Sequence, residues 1–276
     1  MTMTLAHPVE TYFGFTKPPF PQVVPTSDLY EHQGFKELLA RLKMAVRDQS
    51  IALVTAQGGM GKSTSLRKFR DSLDPNRYNV MAISNPAPGL TGVCRDLVRR
   101  LGHEPSYFKP HLVTQLREAL HLQTVRERHN IILCDESAGF SDSWLHELRM
   151  ILSGDLDAMH YATLVLSADN TIKERLRMSC HESLRGRIRF RYELKPLNLT
   201  QTKEYVSHHL KIAGYRGESI FSDGFLARLY DYTRGVPRAI NQACLLALMA
   251  STLRETRIAD ETVWNLVHQE LEQDRA

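Results

Sequence analysis

The chain has 276 residues, enough for one large domain or a medium domain followed by a small one. Its 42% hydrophobic and 24% charged residues suit a globular protein with a sizeable core, and no apolar run approaches bilayer length. The opening MTMTLAHPVETYFGF lacks the basic head and apolar middle of a secretory signal, so a cytoplasmic protein with no membrane partner is expected.

Cys94, Cys134, Cys180 and Cys244 form no CxxC pair, and three sit in apolar stretches, so neither a disulfide nor a zinc site is expected. The net charge of +4 is small, but the arginines cluster. Arg95, Arg99 and Arg100 form one group; Arg175, Arg177, Arg185, Arg187, Arg189 and Arg191 form another. A basic face suits a polyanion such as nucleic acid. Solvated helix surface and charges around a bound nucleotide explain the same composition equally well.

Residues 12–28, rich in proline and aromatics, read as an extended lead-in, and residues 1–28 are taken together as one such segment. From Leu29 to Asp48 the apolar positions Phe35, Leu38, Leu39, Leu42 and Val46 mark one face of a helix. Ile51–Thr55 is a short apolar run before a glycine-rich turn, hence a buried strand, and Ser63–Leu73 resumes as helix. Strands are predicted at Tyr78–Ile83, Ile131–Cys134, Ala162–Leu166 and Ile188–Leu194. Helices are predicted at Leu90–Leu101, Val113–Arg128 and Asp142–Ser153, with the loop GHEPSYFKPH between the first two. Strands alternating with helices predict a three-layer α/β sandwich around a parallel five-stranded sheet over residues 29–195.

After Pro196 only helical patterns remain, so residues 196–276 are predicted to form a small all-α domain. Thr200 is the expected cap of its first helix and Ser222 of its second. Pro237 opens a third, whose stripe is Ile240, Ala243, Cys244, Ala247 and Leu248. The fourth begins at Asp260 and carries Val263, Leu266, Val267 and Leu271.

The turn after the first strand, Ala56-Gln-Gly-Gly-Met-Gly-Lys-Ser63, lies between a strand and a helix, the context of a phosphate-binding loop. Gly58, Gly59 and Gly61 let backbone N–H groups face inward around phosphates, and the positive end of the helix adds to that field. Met60 and Thr64 belong to the same cradle. Lys62 is placed to meet the β- and γ-phosphates of ATP, and the Ser63 hydroxyl to ligate Mg²⁺. Ala56 stands where such loops usually begin with glycine. The strand Ile131–Cys134 then ends in Asp135 and Glu136. Asp135 suits Mg²⁺, held through water, and Glu136 suits the orientation of an attacking water. One strand candidate lies between the two motif strands in sequence, so they are not expected to be neighbours in the sheet.

This order of features resembles the P-loop AAA+ ATPases, and within them the group of ExeA-type secretion ATPases and the transposition regulators TnsC, TniB and MuB. The matching residues are Tyr12-Phe-Gly-Phe15, Pro19-Phe20, Tyr30, both nucleotide motifs, Ser183-Leu-Arg-Gly-Arg-Ile188, Leu194-Lys-Pro-Leu197 and Gly235-Val-Pro-Arg238. The resemblance implies ATP hydrolysis and an α-helical lid. It makes Arg238 a sensor 2 arginine directed at the phosphates, and Arg187, or failing that Arg185, an arginine finger for a neighbouring subunit. Sensor 1 falls in Leu166-Ser-Ala-Asp-Asn170, where Ser167 or Asn170 is the polar candidate; the glycine-glutamine pair usual in ExeA-like proteins is absent. Phe20 is placed either beside the adenine or in packing of the lead-in against the sheet.

The function expected from these signals is an ATP-dependent regulator of DNA transposition. It would assemble on duplex DNA as a homo-oligomeric ring or helical filament, recruit a transposase, and disassemble on hydrolysis, in association with a bacterial nucleoid. ExeA-type proteins continue into a membrane segment after the ATPase region, whereas this sequence stops at Ala276, as short transposon-encoded versions do. Arg99, Arg100 and Lys109 are the expected DNA contacts. Tyr107 and Phe108, between them, are weighed toward local core packing. The alternatives are an ExeA-like ATPase module of secretion or envelope assembly, and a signalling switch that binds ATP without appreciable hydrolysis.

Overall fold

The computed structural model describes residues 8–84, 89–154 and 159–273. The first seven residues of the lead-in and the last three of the chain lie outside them. Contacts group the chain into an α/β unit, Gln33–Gly58 with Lys62–Leu194, and a helical unit. The helical unit takes the lead-in through His32, Gly59–Gly61, and the chain from Lys195 on.

In the α/β unit the strands are β1 (Ile51–Thr55), β2 (Tyr78–Ile83), β3 (His129–Cys134), β6 (Thr163–Ala168) and β7 (Ile188–Glu193). They form one parallel sheet in the order β2-β3-β6-β1-β7. The short strands β4 (Ser153–Gly154) and β5 (Met159–His160) pair antiparallel beside it. Alternation along each strand divides the core between the two faces. Leu53, Ile132, Cys134, Leu164 and Leu166 join one cluster, and Ala52, Val54, Ile131, Leu133 and Val165 join the other. The first is covered by α4 (Gly89–Arg100), α5 (Lys109–Val125), α6 (Asp142–Leu152), α7 (Thr171–Arg175) and α8 (Glu182–Arg187). The second is covered by α2 (Gln33–Arg47) and α3 (Lys62–Asp71). This is the expected parallel α/β sandwich. The strand that separates β1 from β3 in space is β6, and not β2, which separates them in sequence.

Several boundaries differ from expectation for local reasons. α2 starts at Gln33 and not at Leu29, because Tyr30 belongs to the helical unit, its ring 5.9 Å from that of Tyr205. α5 starts at Lys109, inside the predicted loop, because Pro110 sits in its first turn, where no N–H is required. It ends before Glu127, which turns left-handed at φ 59°.

The helical unit contains α9 (Leu199–Ile212), α10 (Asp223–Thr233), α11 (Pro237–Leu253) and α12 (Glu261–Gln273). The α9 cap is Asn198, not Thr200. Its side chain accepts from Gln201 N–H at 2.8 Å while the Gln201 side chain accepts from Asn198 N–H at 3.0 Å, a reciprocal capping box. Ser222 caps α10 as expected, accepting from Phe225 N–H at 3.1 Å. Ile240, Ala243, Cys244, Ala247 and Leu248 are all fully buried along α11, where Ile240→Ala costs about 2–5 kcal/mol. Leu266, expected in the α12 stripe, is 39% exposed, while Val263, Val267 and Leu271 are buried.

The lead-in is not extended throughout. It begins with α1 (Pro8–Phe13) and carries a 3-10 turn at Thr26–Asp28. Val9, Phe13, Phe15 and Phe20 enter the helical core, where aromatic burial outweighs any preference for an extended backbone. The Arg257 guanidinium lies 4.5 Å from the Tyr12 ring centroid and donates to the Tyr12 carbonyl at 2.5 Å. Among the described residues no helix is long and apolar enough to cross a membrane.

Candidate functional site

The loop after β1 adopts its turn because two glycines take backbone angles that other residues avoid, φ 78° at Gly59 and 86° at Gly61. Gly58 is exposed and Met60 buried, and α3 begins directly at Lys62. Lys62 is 6% exposed, and its Nζ donates to the carbonyls of Ala56 at 3.1 Å and Gln57 at 3.5 Å. The ammonium is thus folded back over the loop that precedes it. Ser63 is exposed and Thr64 half-buried in the first turn of α3.

The second half of the site is set by β3 and β6. Asp135 follows β3, and its N–H donates to the Ile83 carbonyl at 2.8 Å. Its Oδ1 accepts from the Ser167 hydroxyl at 2.8 Å and from the Glu136 N–H at 3.0 Å. Ser137 ties the same strand ends together, donating from Oγ to the Cys134 carbonyl at 2.8 Å and accepting from Ser167 N–H at 3.1 Å. Ser167 is fully buried and placed against the acidic pair; Asn170 is exposed and makes no side-chain cap to α7. Glu136 is exposed in the left-handed region at φ 51°, ψ 39°. A non-glycine residue there is strained, and such strain gathers at functional positions.

Asp169 was not singled out in the sequence. Its carboxyl is held below the usual carboxylate range, chiefly by the Thr171 hydroxyl, with the Thr171 amide and the Lys62 ammonium adding to that. The signal available was its place directly after the buried strand β6. Ser63, Asp135 and the loop amides form the hard-oxygen and N–H donor set that suits Mg²⁺ and a triphosphate.

In the helical unit, Gly235 explains the pairing of two motifs. At φ 74° its absent Cβ would stand 1.8 Å from the Leu197 carbonyl oxygen, and Leu197 N–H donates to the Gly235 carbonyl at 3.0 Å. Arg238 is exposed in the first turn of α11, and its backbone N–H donates to the Gly59 carbonyl at 3.2 Å. Phe20 is 4% exposed with its ring stacked on His209 at 5.3 Å, so the ring is committed to the helical core.

The arginine groups separate. Arg185 is exposed and Arg187 half-buried on α8, where Arg187 donates to the Ser183 carbonyl at 3.2 Å. Arg191 donates to the Arg185 carbonyl at 2.6 Å and Arg189 pairs with Asp48 at 3.3 Å. Of the expected DNA contacts, Arg100 bridges Asp96 at 2.7 Å and Lys109 bridges Glu147 at 2.6 Å, while Arg99 is exposed. Tyr107 and Phe108 are 80% and 65% exposed, which corrects their placement in the core. The Tyr107 carbonyl is held by Arg95 Nη2 at 3.0 Å and Phe108 occupies the cap position of α5, so both rings project outward.

Residues 45–176 match the family model described as an AAA domain. The parallel sheet and flanking helices are shared with Cdc6p from Pyrobaculum aerophilum, with TM-score 0.63 and 13% identity over 91% of this chain and 68% of that one. They are shared also with the RuvB Holliday junction branch migration motor of Thermotoga maritima, with TM-score 0.59 and 15% identity over 87% and 70% of the two chains.

The α/β unit has the P-loop AAA+ fold.

The chain is also similar to general secretion pathway protein A of Aeromonas hydrophila, 27% identical over 248 residues. The match takes in 88% of this chain and 45% of that protein, so the chain spans under half of this relative's length.

Proposed function

We propose that this AAA+ chain hydrolyses ATP with Mg²⁺ as the ATPase module of an ExeA-like protein working in secretion or envelope assembly. The carrying observation for the chemistry is the Ser167–Asp135 bond, which fixes the acidic pair at the end of β3 against β6, the strand that stands between β3 and the β1 strand leading into the phosphate loop. The carrying observation for the context is the likeness to the Aeromonas secretion protein along 88% of the chain.

In this reading the loop amides of Gly58–Ser63 hold the phosphates, and Lys62 leaves its carbonyl partners to meet the β- and γ-oxygens. Ser63 and Asp135 would hold Mg²⁺, Asp135 through water, and the ion would supply positive charge to offset that of the phosphate oxygens. Glu136 orients the attacking water, and Ser167 keeps Asp135 in place as the sensor 1 residue. Arg238 is the sensor 2 candidate, supported by its amide's bond to the Gly59 carbonyl. Arg187 or Arg185 acts on a neighbouring copy, which makes a homo-oligomer part of catalysis.

A DNA-bound role in transposition is the second reading. It is favoured by the exposed Tyr107–Phe108 pair, whose Tyr107 ring has the Arg95 guanidinium 5.8 Å from its centroid, as a stacking and phosphate-binding edge would. ATP turnover measured with and without duplex DNA separates the two. A salt-sensitive gain in turnover that Tyr107→Ala and Phe108→Ala abolish selects the DNA-bound role. Turnover indifferent to DNA from low to physiological salt selects the secretion module. No turnover in Glu136-intact protein, with ATP bound, removes both in favour of a passive switch.

A further inference from the structure

The acidic segment is gripped from a second direction. Ser137–Gly139 form a 3-10 turn behind Glu136, and Asp142 opens α6. Arg175, the last residue of α7, commits its whole guanidinium to this stretch. Its Nε donates to Asp142 Oδ1 at 2.6 Å, its Nη1 to the Ala138 carbonyl at 2.8 Å, and its Nη2 to the Phe140 carbonyl. His181, 1% exposed at the start of α8, brings Nε2 to the same Asp142 oxygen at 2.7 Å. Only a rigid planar fork satisfies three acceptors so arranged; a lysine ammonium cannot.

β6 and α7 therefore clamp residues 135–142 between them, by Ser167 on Asp135 and by Arg175 on Ala138, Phe140 and Asp142. The second clamp continues through His181 into α8, which carries Arg185 and Arg187. The ring of His181, the Cys180 sulfur and Asp142 lie within 4.8 Å of one another, as metal ligands would, but the guanidinium already on Asp142 opposes a second cation there.

We infer that Arg175 is a positioning residue that, with Asp142 and His181, couples the segment behind Glu136 to the helix bearing Arg185 and Arg187. A displacement at the acidic pair then shifts both arginines, and a displacement of α8 disturbs Glu136. This rests on the proposed ATPase reading for its catalytic consequence, though the mechanical coupling stands on the contacts alone.

The test is hydrogen exchange and ATP turnover on the full chain, comparing wild type with Arg175→Lys, Asp142→Asn and the double variant, each with its melting temperature recorded. Arg175→Lys keeps the charge and loses the fork. The expected result is faster exchange at residues 136–142 and 182–187 together, with kcat down about tenfold, the equivalent of one charge-assisted hydrogen bond. Affinity for an ATP analogue stays within about twofold in the same variant, since the phosphate loop is untouched. The double variant should exchange at residues 182–187 at least as fast as Arg175→Lys, because Asp142→Asn also weakens the bond to His181 that Arg175→Lys leaves in place. Faster exchange at 136–142 with 182–187 unchanged overturns the coupling. Uniformly faster exchange across the α/β unit also overturns it, since Arg175 is then a general stabiliser. A wild type that binds Mg²⁺–ATP without turnover removes the ATPase reading, while the exchange comparison still decides the coupling.

Discussion

The Ser167 hydroxyl donates to Asp135 Oδ1 at 2.8 Å, joining the end of β6 to the carboxylate that closes β3. Both residues sit on the carboxyl edge of a parallel sheet, where ligands of open α/β folds bind. The bond separates the two candidates for sensor 1 by contact: Ser167 is fully buried against the acidic pair, and Asn170 is exposed. Ser167→Ala should lower kcat about tenfold and raise the Mg²⁺ concentration needed for half-maximal turnover. Asn170→Ala should stay within about twofold of wild type. Turnover titrated with Mg²⁺ checks both, and a larger effect at Asn170 would reverse the assignment.

Glu136 combines exposure, a left-handed backbone and a place beside Asp135. Glu136→Gln should retain ATP binding and lose turnover by about 10²- to 10⁴-fold, the usual contribution of a positioned acid or base. Lys62→Ala should instead lose binding itself. Glu136→Gly should also abolish turnover, yet stabilise the fold by about 1 kcal/mol through relief of the left-handed strain. Calorimetric melting of the last variant is the informative measurement; a lower melting temperature contradicts the strain argument.

Gly235 has no room for a side chain, since its Cβ would meet the Leu197 carbonyl oxygen at 1.8 Å while φ is 74°. Gly235→Ala should therefore destabilise the helical unit by about 2 kcal/mol or more. Urea denaturation followed by Trp264 fluorescence in a Trp144→Phe background reports that unit, because Trp264 is buried in its core and Trp144 in the core of the α/β unit. A shift below about 0.5 kcal/mol would show that the Leu197 turn relaxes freely.

His209 is buried against Phe20 and Tyr205, and burial, with His208 adding to it, lowers its pKa from 6.5 to about 4. Between those values the unfolded chain binds a proton that the folded chain refuses. Stability from this group therefore falls as pH drops from about 6.5 toward 4, by at most about 1.4 kcal/mol per pH unit. His209→Phe removes the proton site and keeps the stack on Phe20. Its melting temperature should fall less between pH 7 and pH 5 than that of wild type, and parallel pH profiles would refute the burial argument.

The nucleotide motifs were legible because each depends on a short run of residues whose chemistry is local. Gly59, Gly61, Lys62 and Ser63 form a cradle wherever a strand precedes and a helix follows, and both flanks carried their own periodicity. The five strands and the α11 stripe were legible for the same reason. The lead-in was not, because its aromatics are buried by partners about 200 residues away, such as Phe20 against His209 and Phe15 against Tyr215. Tyr107 and Phe108 misled in the opposite direction: large aromatic rings imply burial, but the cap of α5 and the Arg95 bond turn them outward.

By itself the sequence determined the class of chemistry, since a phosphate cradle and a strand ending in two carboxylates need only residue type and spacing. It also settled the alternation of strands and helices and the change to helices after Pro196. Tertiary structure alone decided that β6 lies between the two motif strands, that Ser167 holds Asp135, and that Arg175 converges with His181 on Asp142. Those are relations between residues more than thirty positions apart. Hydrogen bonds of 3 Å between them exist only after burial of the strand faces has fixed the sheet order, and no periodicity along one chain encodes which strand becomes whose neighbour.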